Sequence, residues 1–159
     1  MLHLLLFRHA TAHPRAEAPD AQRPLSPQGV AEARALMAAV VARGWIPQLG
    51  LASPYLRTRQ TLDCLQEATQ AAGKGTFPVE VWPGCCPESS PRAALEHCEA
   101  MEEAHVVAMV SHEPFTGEFV QEATGKARRF RPCDLAVLAW NGRRWRLEEE
   151  LSGRDLVRS

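Results

Sequence analysis

The sequence predicts an α/β layered fold with a mostly parallel central sheet. Three observations predict it. Short apolar runs alternate with longer stretches of helical periodicity, two of these runs are apolar on both faces as strands buried between helix layers must be, and Ser-Pro pairs stand where helices should follow strands. A length of 159 residues suits one compact domain, 1–159. Such a domain buries about two-thirds of the surface its unfolded chain exposes, which leaves room for a core and a preformed site.

Residues 2–7 read as the first strand, and a polar connection containing proline occupies 11–23. Ser26 then serves as N-cap and Pro27 as first helical residue, with Val30, Ala33, Met37, Val40 and Val41 recurring at helical spacing as far as Gly44. Residues 49–52 form a second strand, and Ser53-Pro54 reads as the next N-cap and first turn. The helix that follows carries Leu62, Leu65, Thr69 and Ala72 as its inner stripe up to Gly73. A third strand over 77–82 is placed near an edge by Pro78, which cannot donate to a ladder. A loop rich in Pro, Gly, Cys and Ser leads to a helix over 91–103 that turns Leu95, Cys98 and Met101 inward. Residues 106–110 form the fourth strand, and 113–123 a helix with Phe115, Phe119 and Ala123 one turn apart. Last, 135–140, Asn141-Gly142 and 143–149 read as a hairpin with a two-residue type I′ turn, setting Leu138 opposite Trp145 and Ala136 opposite Leu147.

Composition excludes several functions. With 18 Lys+Arg against 19 Asp+Glu the net charge is -1, so the basic excess of a sequence-independent nucleic-acid binder is missing. The apolar N-terminal run meets Arg8 too soon for a membrane span and lacks the basic start of a signal peptide, so a cytoplasmic protein with no membrane partner is expected. Five cysteines, odd in number and without a CxxC pair, read as reduced thiols, and nothing around the vicinal Cys85-Cys86 pair would stabilise a thiolate. His9 and His13 are four apart but share a loop with Pro14, and His112-Glu113 has Thr116 where a zincin motif needs its second histidine. No GxGxxG or P-loop occurs. The expectation is therefore no metal and no cofactor.

Three strand ends carry the informative polar residues. The first strand runs into Arg8-His9, the second into the segment from Ser53 to Thr61 that holds Arg57, and the fourth into Ser111-His112. Parallel strands would bring these segments to one sheet edge, where α/β folds bind ligands. Taken singly, each histidine or arginine has an ordinary structural explanation; His3, His97 and His105 are read that way. Together, two arginines and two histidines suit a phosphoryl group, whose oxygens guanidinium forks grip in pairs. Arg57, early in its helix, adds the N-terminal dipole. A histidine kept neutral by neighbouring guanidinium groups can act as nucleophile, so a phosphohistidine intermediate is within reach.

Arg8-His9-Ala10 after the first strand, Ser53-Pro54-Tyr55-Leu56-Arg57-Thr58-Arg59-Gln60-Thr61, and Ser111-His112 after a late strand resemble the histidine phosphatase superfamily, the phosphoglycerate-mutase-like fold. Arg23-Pro24-Leu25-Ser26-Pro27-Gln28-Gly29 is similar to the segment opening the first helix of its small bacterial branch, the SixA-type phosphohistidine phosphatases. The likeness spans about residues 1–150. It implies a three-layer α/β/α fold with minimal helical insertions. It also implies that His9 accepts the phosphoryl group while Arg8, Arg57 and His112 hold it, with Ser53 and Glu88 as further substrate-binding candidates.

Two departures qualify the likeness. Ala10 stands where the wider family has Gly, and the stretch after the third strand, Val81 to Pro87, lacks the usual carboxylate general acid, leaving Glu88 as the nearest candidate. A general acid is typically worth about 10²- to 10⁴-fold on a poor leaving group, whereas imidazole leaves easily. The expected activity is therefore a metal-independent phosphatase acting on phosphohistidine of a partner protein such as a histidine phosphotransfer domain. Alternatives are a phosphatase of a small phosphate ester with Glu88 as acid, and a phosphate-binding module without turnover.

Overall fold

The structure, a computed structural model, describes residues 1–15, 18–101 and 105–158. Six strands form one sheet: β1 (Leu2–Arg8), β2 (Leu49–Ala52), β3 (Val79–Val81), β4 (Val106–Ser111), β5 (Asp134–Trp140) and β6 (Trp145–Ser152), in the order β3-β2-β4-β1-β5-β6. β1 to β4 run parallel, and β5 pairs antiparallel with both β1 and β6.

Period-two alternation sends each central strand's side chains to both faces, and both faces are covered. Leu5, Phe7, Ala108, Val110, Leu135 and Val137 pack on one side with Leu36, Met37 and Val40 of α1 (Pro27–Ala42) and Leu62 and Leu65 of α2 (Leu56–Ala71). Leu4, Leu6, Val107, Met109, Ala136 and Leu138 pack on the other with Leu95 and Cys98 of α3 (Pro91–Glu99) and Phe115 and Phe119 of α4 (Phe115–Thr124). A short α5 (Gly153–Val157) closes the first layer through Leu156. This is the three-layer α/β/α arrangement, and the strands apolar on both faces are the ones it sandwiches.

Several elements differ in detail from the sequence expectation. Ser26 caps α1 as expected, accepting from the Gly29 N–H, but Ser53 does not cap α2; that helix starts at Leu56 with Tyr55 as its cap residue, and Ala72 lies exposed beyond its end. Ser53 is drawn instead into a buried side-chain network. β3 is shorter than 77–82 and exposed throughout; it sits at the sheet edge as Pro78 requires, while Phe77 turns into the core outside the strand. The connection over 11–23 is not wholly irregular: Ala12 bridges Leu25, and 20–22 form a 3-10 turn. α3 ends at Glu99, and residues 102–103 of the expected helix lie outside the described residues. α4 starts at Phe115, two residues later than expected.

The hairpin register also needs correction. Trp140 pairs with Trp145 and Leu138 with Leu147, so the connection is four residues long and the register moves by two. The Asn141 side chain accepts from the backbone N–H groups of Arg143 and Arg144, which shapes the longer turn. A shift of two preserves which face is apolar, and an irregularity at Val137/Leu138 then realigns the strands.

Candidate active site

The parallel strands β2, β4 and β1 lie side by side and end at one edge, with Arg8 level with Ser111 and Ala52 level with Val110. That edge brings together Arg8, His9, Ser53, Arg57 and His112. His9 is fixed on both sides of its backbone: its N–H donates to Ser111 O (3.0 Å) and its carbonyl accepts from Cys133 N (3.0 Å).

The His9 ring has a defined tautomer. Nδ1 lies 2.7 Å from the Ala10 carbonyl, which can only accept, so Nδ1 carries the proton. Nε2 is then the lone-pair nitrogen, and it accepts from Arg57 Nε at 3.3 Å. Burial pushes the ring's pKa down to about 3; the Ala10 bond opposes that shift and the charges of Arg57, Arg8 and Arg23 add to it. A neutral imidazole with its free nitrogen facing a guanidinium follows across physiological pH.

His112 is oriented by hydroxyls. Thr58 Oγ1 lies 2.9 Å from Ser53 O and 2.8 Å from Tyr55 O, so its single proton goes to those carbonyls. It therefore accepts from Ser53 Oγ (2.8 Å), and Ser53 Oγ is left to accept from His112 Nε2 at 2.7 Å. His112 Nδ1 is buried with no hydrogen-bond partner among the described residues. The two histidine rings meet edge-on at 5.3 Å, and Tyr55 stands edge-on to His112 at 4.6 Å. Burial, with the nearby His9 and Arg57, pushes His112 down to about 3 as well, so it is neutral in the free protein and gains a proton only when an anion compensates.

The guanidinium groups are held by main chain and one carboxylate. Arg8 donates from Nη1 to Phe130 O at 2.8 Å, while its Nε is buried without a partner. Burial lowers its pKa, against the opposing pull of Glu113 and Asp134. Arg57, second residue of α2, donates to Asp20 O (2.7 Å) and Asp20 Oδ2 (3.4 Å) and lies over the Tyr55 ring. Asp20 also pairs with Arg23 at 3.0 Å, and Arg23 donates to His13 O at 2.6 Å. Arg8 Nε is an unpartnered donor and His112 Nδ1 an unpartnered lone pair that becomes a donor only once the ring is protonated; with a helix start and three guanidinium groups they gather positive potential beside the lone-pair nitrogen of His9.

Glu88 is exposed, and its charge raises the Tyr55 pKa, second to burial. Glu80 is exposed on β3. Of the other histidines, His3 faces Glu148 and Trp45, and His97 stacks on Trp82. All five cysteines are free and buried; burial raises the pKa of Cys85 and Cys86, which fits inert thiols. Sequence reasoning overlooked Asp20, Tyr55 and Thr58 as parts of the site. Tyr55 and Thr58 lay inside the quoted Ser53–Thr61 segment, whereas Asp20 had no signal because only the fold brings the 3-10 turn to Arg57.

Residues 4–84 match the sequence profile of the histidine phosphatase superfamily (branch 1), and the chain belongs to that superfamily. Within it, the chain is 32% identical over 96 residues to a phosphohistidine phosphatase SixA homolog of Haemophilus influenzae, a match covering 58% of this chain and 57% of that relative's length. An uncharacterized protein of Picosynechococcus sp. is 35% identical over 124 residues, covering 76% of this chain and 72% of the relative. In fold, the chain is similar to the structure of the protein histidine phosphatase SixA complexed with tungstate, with a TM-score of 0.86, 23% identity, and 98% and 99% of the two chains covered.

Proposed function

We propose that the protein is a metal-independent phosphatase that works through a phosphohistidine intermediate on His9 and removes phosphate from phosphohistidine on a partner protein. One observation carries the reading: with Nδ1 tied to the Ala10 carbonyl, the Nε2 lone pair of His9 faces the Arg57 guanidinium, and the unpartnered Arg8 Nε and the His112 ring stand at the same edge. In the first step the Nε2 pair forms a bond to phosphorus as the phosphorus–leaving-group bond breaks. A substrate imidazole protonated on its far nitrogen departs as neutral imidazole and needs no acid. Water then attacks the phosphoryl group on His9, its protons stay with the phosphate, which leaves as dihydrogen phosphate, and the electron pair of the broken P–N bond returns to Nε2. Transfer of this kind passes through a loose state in which positioning and charge on the equatorial oxygens do most of the catalysis; here these fall to Arg8, Arg57 and a His112 that becomes protonated with the dianion bound. Five free buried thiols fit a reducing cytoplasmic setting.

A second reading, a small phosphate ester as substrate with Glu88 protonating the alkoxide, is favoured by the exposed Glu88 carboxylate, whose charge is felt at Tyr55. The deciding experiment for either reading is to quench the protein during turnover of a ³²P-labelled phosphohistidine protein and of an activated aryl phosphate, in wild type and His9→Ala. Acid-labile label on wild type alone is expected. Label surviving His9→Ala removes His9 from its role, and phosphate binding without hydrolysis of either substrate replaces the enzyme with a phosphate-binding module.

A further inference from the structure

Glu32 is a carboxylate on α1 that is 1% exposed and has no ion-pair partner among the described residues. Carboxylates are rarely buried this deeply without a charge opposite, so its hydrogen bonds bear on what it does. Oε1 accepts from Thr11 N (3.2 Å) and Thr11 Oγ1 (2.8 Å), and Oε2 accepts from Gln28 Nε2 (3.0 Å). Thr11 N belongs to the same peptide group as the Ala10 carbonyl, which accepts from His9 Nδ1 at 2.7 Å. In a trans peptide the N–H and C=O point in opposite directions. One rigid amide thus lies between the carboxylate and the imidazole.

We propose that Glu32 is a positioning residue for His9, acting through the Ala10–Thr11 peptide group. A carboxylate accepting from the amide N–H polarises that amide and makes its carbonyl a stronger acceptor, since hydrogen bonds in a chain reinforce one another. The stronger acceptor holds the proton on Nδ1, keeps Nε2 as the lone-pair nitrogen, and stabilises the positive charge that grows on the ring as Nε2 bonds to phosphorus. The clamp is rigid at its other side too. Thr11 O accepts from Ser26 N (3.0 Å) and Ser26 Oγ (3.2 Å), and Gly29 lets α1 come so close that a Cβ there would stand 1.9 Å from Thr11 O. The charged groups that face His9 directly are Arg8, Arg23 and Arg57, all disfavouring a charged ring, and the titratable His112 ring beside it is neutral in the free protein. Glu32 offsets them by way of the amide.

The consequence for catalysis rests on His9 being the phosphoryl acceptor, so the test has two arms. In ¹⁵N-labelled free protein at neutral pH, the His9 Nδ1–H proton resonance reports the hydrogen bond without any reaction. Glu32→Gln retains the shape and loses the charge; it moves this resonance upfield and lowers the single-turnover labelling rate with the activated aryl phosphate about 10-fold, as loss of groups that orient a reacting ligand commonly does. An unmoved resonance, or an unchanged labelling rate, overturns the proposal. If wild type forms no phosphoenzyme, the reading of His9 as acceptor fails and the resonance alone decides the link to Glu32. Should Glu32→Gln not fold, Gln28→Met at an exposed position takes its place. Removing the donor on Oε2 strengthens the bonds at Oε1 and moves the resonance downfield, and no movement overturns the proposal.

Discussion

At the scale of single residues, the site depends on two imidazoles kept neutral by burial. His9 and His112 both have their pKa lowered from 6.5 to about 3 in the folded protein. Between those values the unfolded chain binds more protons than the folded one, so stability is retained above 6.5 and lost as pH falls through the window. Each ring contributes a slope of up to about 1.4 kcal/mol per pH unit there. The urea midpoint should therefore drop between pH 7 and pH 4.5, and His112→Asn should flatten that drop. Inorganic phosphate, which favours the protonated rings, should raise the midpoint more at pH 5.5 than at pH 8. Equal pH dependence in wild type and His112→Asn would show that His112 is not held neutral. The identities of Arg8, His9, Arg57 and His112 were legible from their places at strand ends. Their protonation states were not, because those follow from burial and from which carbonyl or hydroxyl each ring nitrogen meets.

At the scale of elements, α1 does more than cover the sheet. Its cap residue and first two turns meet the His9 loop through Ser26, Gly29 and Glu32. Gly29→Ala would force a Cβ against the Thr11 carbonyl, and since both are backbone-anchored, α1 or the loop must shift. The expected cost is about 1–3 kcal/mol, read as a lowered thermal midpoint, with slower phosphoenzyme formation in the fraction that remains folded. An unchanged midpoint would mean that α1 can back away freely. Helical periodicity located α1 but set aside Leu36 and Glu32, both fully buried. A carboxylate on a helix ordinarily faces water, and only the approach of the Thr11 loop buries Glu32. The hairpin shows the same limit: Asn141-Gly142 correctly marked a turn, with Gly142 at φ 94°, but the four-residue length depends on how the Asn141 side chain binds the backbone.

At the scale of the whole molecule, the sheet edge gathers the proposed phosphate site from the His9 loop, the start of α2 and the segment around Phe130. Among the described residues, no helix is long and apolar enough to cross a membrane. Substrate preference follows from how the rim meets a leaving group. Glu88→Gln should leave hydrolysis of a phosphohistidine protein nearly unchanged, because imidazole needs no acid. With Glu88 as the acid for esters, it should lower turnover of alkyl phosphates about 10²-fold while sparing activated aryl phosphates. A side-by-side rate panel checks this, and equal losses on all substrates would remove Glu88 from proton transfer.

The sequence by itself determined the alternation of strands and helices, the two-faced burial of the central strands, and the four residues that meet at the sheet edge. These are local properties: periodicity, turn chemistry, and the position of a residue relative to its own strand. Tertiary structure alone decided that Ser53 orients His112 rather than capping a helix, that Asp20 holds Arg57, and that Glu32 reaches His9 through one amide. Each of those contacts joins segments far apart in the chain. Their energies exist only once the apolar layers have closed and water no longer competes for the same donors and acceptors.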